Sequence, residues 1–180
     1  SKHETKVVVG YEYVLGESTK KISQFIINED FGRVKILEVS FRENWKGIFG
    51  AHPWLSGPKD TYLGFWRRGG GASGEHSHAI HYWQYFANLL GVGKITEVSA
   101  SMKMISDSSI DCDEQCFMTL KTENGLVCRI AQDVVTDPPL MSMRIQREKA
   151  YAEWYRYAEP GKGNVELIKL AILNNKGNWE

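Results

Sequence analysis

The chain has little that would betray a partner at long range. Its 180 residues carry 22 lysines and arginines against 22 aspartates and glutamates, a formal charge of zero. No net field therefore draws it to nucleic acid, an anionic membrane or a strongly charged protein. Cysteine is scarce and odd in number: Cys112, Cys116 and Cys128 include no second close pair of the kind a structural zinc site needs. They read as reduced, buried or incidental thiols of a cytoplasmic protein. No apolar run approaches the ~20 residues of a membrane span, and the opening Ser1-Lys2-His3-Glu4-Thr5-Lys6 is too polar for a signal peptide. The absence of an initial methionine points to a processed chain or an excerpt from a longer one. There is no Walker pattern, no G-x-G-x-x-G between a strand and a helix, no internal repeat and no low-complexity tract.

What is present is enough apolar mass for a core, with 42% hydrophobic and 12% aromatic residues, and the length fits one domain over residues 1–180. Val7 to Val14, β-branched and aromatic, reads as an opening strand. Ile22, Phe25 and Ile26 recur at helical spacing after Ser18, a candidate N-cap. Leu37, Val39 and Phe41 alternate with Glu38, Ser40 and Arg42, the mark of a half-buried strand. Residues 43–74 show no period but hold Trp45, Phe49, Trp54, Tyr62, Phe65 and Trp66, so a long, ordered, functional loop is expected. A second helix ends near Leu90, with Gly91 as its left-handed stop. From Val98 onward come short strands, including a hairpin at Asn124-Gly125, and this part of the chain reads as an antiparallel meander. Few helices beside a run of strands predict an α+β fold: an open, mostly antiparallel sheet with helices packed on one face.

Three of the five histidines fall within six residues, His76, His78 and His81, directly after Gly69-Gly70-Gly71-Ala72-Ser73-Gly74-Glu75. Imidazole offers a proton acceptor or a metal ligand near neutral pH. With Ser77 as helix cap, His78 and His81 lie three residues apart on one helical face, and the helix dipole keeps them neutral. Glu75 is placed to orient one of them, and the glycines to let a ligand approach the backbone. His76-x-His78-x-x-His81 also has metal-ligand character, although on a continuous helix His76 and His81 point about 140° apart. A metal-dependent hydrolase or lyase built on His76, His78, His81 and Glu75 therefore stands as one alternative, and a non-catalytic binding or assembly module as another. Trp66 offers a stacking platform for a sugar ring, and Arg67 and Arg68 offer contacts to an anionic or hydroxyl-rich ligand.

Taken in order, these features resemble the C-terminal domain of the Gfo/Idh/MocA oxidoreductases. The resemblance rests on Val9-Gly10-Tyr11-Glu12-Tyr13, the helix leading to Phe31-Gly32-Arg33-Val34, and Trp66-Arg67-Arg68-Gly69-Gly70-Gly71. It continues through the helix with His81 ten residues before Gly91, the Val98 strand and the Asn124-Gly125 hairpin. It implies the substrate-binding domain of an NAD(P)-dependent oxidoreductase acting on a sugar, sugar nucleotide or cyclitol. The cofactor, NAD or NADP, would be held mainly by an N-terminal Rossmann domain that this chain lacks. By resemblance His81 matches the histidine of a D-x-x-x-H pattern implicated in proton transfer, with His78 and Glu75 beside it. His76, Ser77, Trp66, Arg67 and Arg68 would serve as substrate contacts. Ser77 stands where the pattern has aspartate, and Val14-Leu15 where an arginine often follows the first strand. The resemblance further implies a homo-oligomer formed through the sheet, a carbohydrate-like small-molecule substrate, and neither nucleic acid nor membrane as a partner.

Overall fold

The structure, a computed structural model, describes residues 6–105, 109–157, 159 and 161–180. Seven strands form one sheet: β1 (Val34–Arg42), β2 (Ile95–Met104), β3 (Asp113–Thr122), β4 (Val127–Asp133), β5 (Leu140–Arg147), β6 (Ala150–Arg156) and β7 (Glu166–Ile172). Their spatial order is β2-β3-β4-β1-β5-β6-β7. Every neighbouring pair is antiparallel except β1 and β4, which run parallel with Val39 opposite Ile130. The expected open, mostly antiparallel α+β sheet is thus the fold, with one correction. The strands after Gly91 are not a simple meander, because β1 enters between β4 and β5. It is the most regularly alternating apolar strand of the chain, with Leu37, Val39 and Phe41 all buried, and such a strand gains most at the sheet's centre.

Alternation sets one face toward the helices. In register across the sheet lie Cys128 and Ile130, Val39 and Phe41, Met141 and Met143, and Trp154, all buried. Against them pack α1 (Glu17–Ile26), through Ile22 and Ile26, and α4 (Ser77–Leu89), through Ala79, Tyr82, Trp83 and Phe86. Trp83 Nε1 donates to the Leu37 carbonyl at 3.2 Å, so even the indole's one polar atom is satisfied in the core. Gly91, with φ +63°, stops α4, and Gly125, with φ +78°, closes the β3–β4 hairpin, both as the sequence suggests. At the far end of the parallel pair, Arg42 Nε donates to buried Asp133 at 2.6 Å, fastening β1 to β4.

Three local expectations are corrected. Val7 to Val14 forms no strand: Val7, Val8 and Val9 are exposed, and Glu12–Leu15 is a 3-10 turn. The rings of Tyr11 and Tyr13 lodge against α4 and Phe41 instead, which holds this backbone off both sheet edges. Ser18 does not cap α1, which begins at Glu17 behind Gly16; its hydroxyl donates to Glu166. Residues 43–74 are no open loop but a chain of short turns: α2 (Trp45–Gly50), capped by the Asn44 side chain, three 3-10 turns between Pro58 and Arg68, and α3 (Ala72–Glu75). No helix among the described residues is long and apolar enough to cross a membrane.

Candidate active site at the head of α4

Gly70 and Gly71 serve packing, and Gly69 ends the Trp66–Arg68 turn in the left-handed region. Gly69 and Gly71 both have φ +88°. A Cβ on Gly70 would strike the Tyr62 and Leu63 carbonyls, and one on Gly71 the Asp113 carboxylate. That carboxylate already accepts from the Ser73 amide at 2.9 Å and the Ser73 hydroxyl at 3.0 Å. At Gly70 and Gly71 the approach is therefore taken by the protein's own backbone and by Asp113, while Gly69 stays open at the edge of a depression lined by Trp66, Ser73 and Met102. The effect is to set the α3–α4 junction rigidly over the ends of β3 and β4.

His76 sits at that junction, at the N-cap position of α4, where no side chain makes a cap bond; Ser77 is already helical. His76 is buried, its carbonyl accepting from Gln132 Nε2 and its Nε2 left without a partner. Burial pulls its pKa down to about 4 against the opposing main-chain groups of Asp133 and Glu43. His78 and His81 follow on one face of the first turns. The His81 ring stacks on Tyr11, with centroids 4.4 Å apart and planes 12° apart, and His78 meets both Tyr11 and Tyr13 edge-on at 5.2 Å. The Tyr11 hydroxyl reaches Ser77 Oγ at 3.3 Å. His78 Nδ1 is buried without a partner, and its pKa is lowered, first by burial and then by His81, against the pull of Glu12. The neutrality expected from the helix dipole is thus present at His78, with burial as its main cause.

The carboxylate acting on His78 is Glu12. Glu75 is half-buried elsewhere: burial and then Glu43 raise its pKa, with His52 acting the other way. Trp66, Arg67 and Arg68 form a separate, exposed group. Trp66 Nε1 donates to Asp111 at 3.0 Å, and the two guanidinium groups stack on the neighbouring Trp66 and Phe65 rings at 4.3 and 4.5 Å. The structure therefore brings together His78, His81 and Ser77, with His76 beneath them, and gives Glu75 and the Trp66-Arg67-Arg68 group other partners. Among the described residues no three His, Cys, Asp or Glu side chains form a group able to hold a metal ion.

Several members of the cluster were not singled out as site residues by sequence. Tyr13, with its hydroxyl donating to Met141 Sδ at 3.3 Å, is pushed up to about 12 by burial, which outweighs Arg156. The Arg156 guanidinium lies 5.1 Å from the Tyr13 ring centre and 5.7 Å from that of Tyr157, and its Nε is buried without a partner. Tyr157 has φ +60°, a conformation a tyrosine adopts only under local constraint. The only sequence trace of this group is the Tyr11-x-Tyr13 spacing, which reads equally well as one face of a strand. Together these residues form a site of neutral imidazoles, tyrosine hydroxyls and one arginine, with buried nitrogens that have no partner within the protein. Such a site can accept a proton and orient a hydroxylated molecule.

The sequence profile described as the GFO/IDH/MocA C-terminal domain matches residues 19–153. The chain belongs to this family. Its fold is shared with levoglucosan dehydrogenase solved with NADH (TM-score 0.69, 14% identity, 96% of this chain and 45% of that one). It is shared too with an inositol dehydrogenase homologue from Azotobacter vinelandii solved with NAD+ (TM-score 0.61, 13% identity, 94% and 44%). A third likeness is to the WlbA dehydrogenase from Bordetella pertussis, solved with NADH and UDP-GlcNAcA (TM-score 0.57, 19% identity, 78% and 40%). This GFO/IDH/MocA domain thus spans less than half the length of these dehydrogenases. Among curated proteins none matches it significantly.

Proposed function

We propose that the chain is the substrate-binding domain of an NAD(P)-dependent oxidoreductase acting on a sugar, sugar nucleotide or cyclitol in a cytoplasmic setting. The observation that carries this reading is the His78–His81–Tyr11–Tyr13 cluster at the head of α4, within a family whose solved relatives hold NADH or NAD+ and sugar-like molecules. His81 is the proton acceptor for a substrate hydroxyl; Tyr11, stacked on it, fixes its plane. His78, half-buried with its pKa lowered, positions the substrate or accepts its hydrogen bond, and Arg156 is a further contact. Ser77 takes the hydroxyl of Tyr11 where the family pattern has a carboxylate. Glu75, Trp66, Arg67 and Arg68, which have other partners, stand outside this arrangement.

The residues present do not fit a dinucleotide. Gly69-Gly70-Gly71 follows a 3-10 turn rather than a strand, and β1, the strand with a parallel neighbour, runs out into Glu43 and α2. The nicotinamide cofactor of this proposal is therefore held mainly by residues outside the chain, and it supplies the hydride chemistry when bound.

The test is turnover by a protein joining this chain to its nucleotide-binding partner domain. His81→Ala should lower kcat by about two to four orders of magnitude, and Tyr11→Ala should lower it less. Unchanged turnover in a folded His81→Ala protein removes His81 from the mechanism. The same reading has the chain assembling through the open face of the sheet. There the small residues Ser40, Ala131 and Ser142 floor a shallow depression, rimmed by the Glu38–Arg129 and Arg144–Glu153 ion pairs.

A further inference from the structure

The two edges of the sheet are finished differently. Outside β7 the chain turns back on itself: Ile172 and Glu180 exchange both main-chain hydrogen bonds, and Leu173 bridges Trp179. Outside β2 no described residue pairs. This strand is ten residues long, contains neither proline nor glycine, and is exposed from Thr96 to Met104 on both faces. Its irregularities lie only at its two ends, between Ile95 and Glu97 and between Lys103 and Met104. Natural edge strands are normally blunted by proline, by mid-strand bulges, by an unmatched inward charge or by a cover. β2 has none of these in its central run, yet it leaves Val98 59%, Met102 51% and Met104 43% exposed.

The strand is also nearly its own complement. Around Ala100 the sequence reads Thr96-Glu97-Val98-Ser99-Ala100-Ser101-Met102-Lys103-Met104. Two antiparallel copies centred on Ala100 place each residue opposite the one equally far on the other side. Serine then faces serine, Val98 faces Met102, and Glu97 faces Lys103. Alternation keeps these pairs on consistent faces. Glu97, Ser99, Ser101 and Lys103 lie on the open face; Val98, Ala100 and Met102 lie on the helix side, beyond the reach of α4. The charges also continue a pattern within the sheet, where Lys121 pairs with Glu97 and Lys103 with Glu114. Across the two-fold axis each row becomes Lys121, Glu97, the partner's Lys103, the partner's Glu114, alternating in sign at every step. A two-fold interface requires this property, because whatever residue i meets, its equivalent must meet i in return.

We propose that β2 pairs edge to edge with β2 of a second copy of this chain, antiparallel and centred on Ala100, joining two seven-stranded sheets into one of fourteen strands. The pairing fills the unpaired main-chain donors and acceptors of two ten-residue edges. It buries the four side chains Val98, Met102 and their two-fold mates against each other. It makes two Glu97–Lys103 ion pairs per dimer. This interface is separate from assembly through the open face of the sheet and does not rest on the catalytic reading.

The decisive experiment uses charge reversal in the 180-residue chain, with mass measured by light scattering over a concentration series and folding checked by circular dichroism. The native chain should move from 20.5 kDa toward twice that mass as concentration rises. Glu97→Lys and Lys103→Glu each set like charges opposite one another twice per dimer, and each alone should weaken dimerisation about tenfold or more. Mixed together, the two variants are complementary at both pairs, and the dimer should return. Independently, Ala100→Cys brings two thiols face to face at a Cα separation of about 4.5–5.5 Å. It should give a disulfide-linked dimer on mild oxidation, whereas Thr96→Cys should not. A native chain that stays monomeric up to about 0.5 mM, or a dimer indifferent to both charge variants, overturns the proposal. So does a dimer weakened by each variant but not restored by mixing, which rejects the register.

Discussion

At the residue scale the head of α4 is governed by desolvation. His76 is the sharpest case: an imidazole with pKa about 4 in the fold and 6.5 as its ordinary value. Because the folded value is the lower one, the unfolded chain takes up a proton below pH 6.5 that the folded chain refuses. Stability is therefore lost as pH falls from about 6.5 toward 4, and the loss levels off below that. By pH 5 the expected loss from this residue is on the order of 1–2 kcal/mol. Urea unfolding at pH 7 and pH 5 should show it, and in His76→Gln the difference between the two pH values should shrink by that amount. An unchanged difference would mean that the buried ring is protonated with a partner. The histidine cluster was legible as a cluster in the sequence, since spacing alone puts His78 and His81 on one helical face. Which carboxylate attends it was not. Glu75 is three residues from His78 in the chain but answers to Glu43 and His52, while Glu12, sixty-six residues away, acts on His78.

At the scale of elements, β1 and α4 meet through a ring cluster in which Phe41 packs on Tyr13, Tyr82 and Trp154 with centroids 4.8 to 6.1 Å apart. Phe41→Ala removes a fully buried side chain at the point where the 3-10 turn, α4, β1 and β6 converge. It should cost about 3–5 kcal/mol in chemical denaturation. It should also loosen Tyr13 beneath His78, so the imidazole resonance of His78 should broaden or shift even where the protein stays folded. Elements with a strong period were readable: α1, α4 and the strands from β2 to β7 lie where alternation or helical spacing puts them. The opening segment was misread because its β-branched and aromatic composition fits a strand, and a strand forms only where a sheet edge receives it. Here the rings of Tyr11 and Tyr13 gain more against α4. The turns between Pro58 and Arg68 were unreadable because each is closed by one or two local bonds without a period, and their placement depends on distant chain, as where the Trp66 amide donates to the Asp111 carbonyl at 2.7 Å.

At the scale of the whole molecule, β1 is the keystone. Without it β2-β3-β4 and β5-β6-β7 share no ladder, since β4 and β5 each pair with β1 and not with each other. The two halves should therefore open together. Native-state hydrogen exchange should give the central amides of β4 and β5 the same opening free energy, and that value should match global unfolding. Separate values would show that one half survives without the other.

The sequence by itself determined the fold class, the strand-rich second half, the helix carrying the histidines and the family, because each is written in local periodicity and in the order of short motifs. Only the tertiary structure decided that β1 lies at the centre of the sheet, that Gly70 and Gly71 serve close packing, and that Tyr11, Tyr13 and Arg156 gather beside the histidines. It also decided that β2 is an edge strand with which no further described residue pairs. These are facts about which distant surfaces meet, and burial, which selects among such meetings, acts on the summed fit of the whole chain rather than on any one segment.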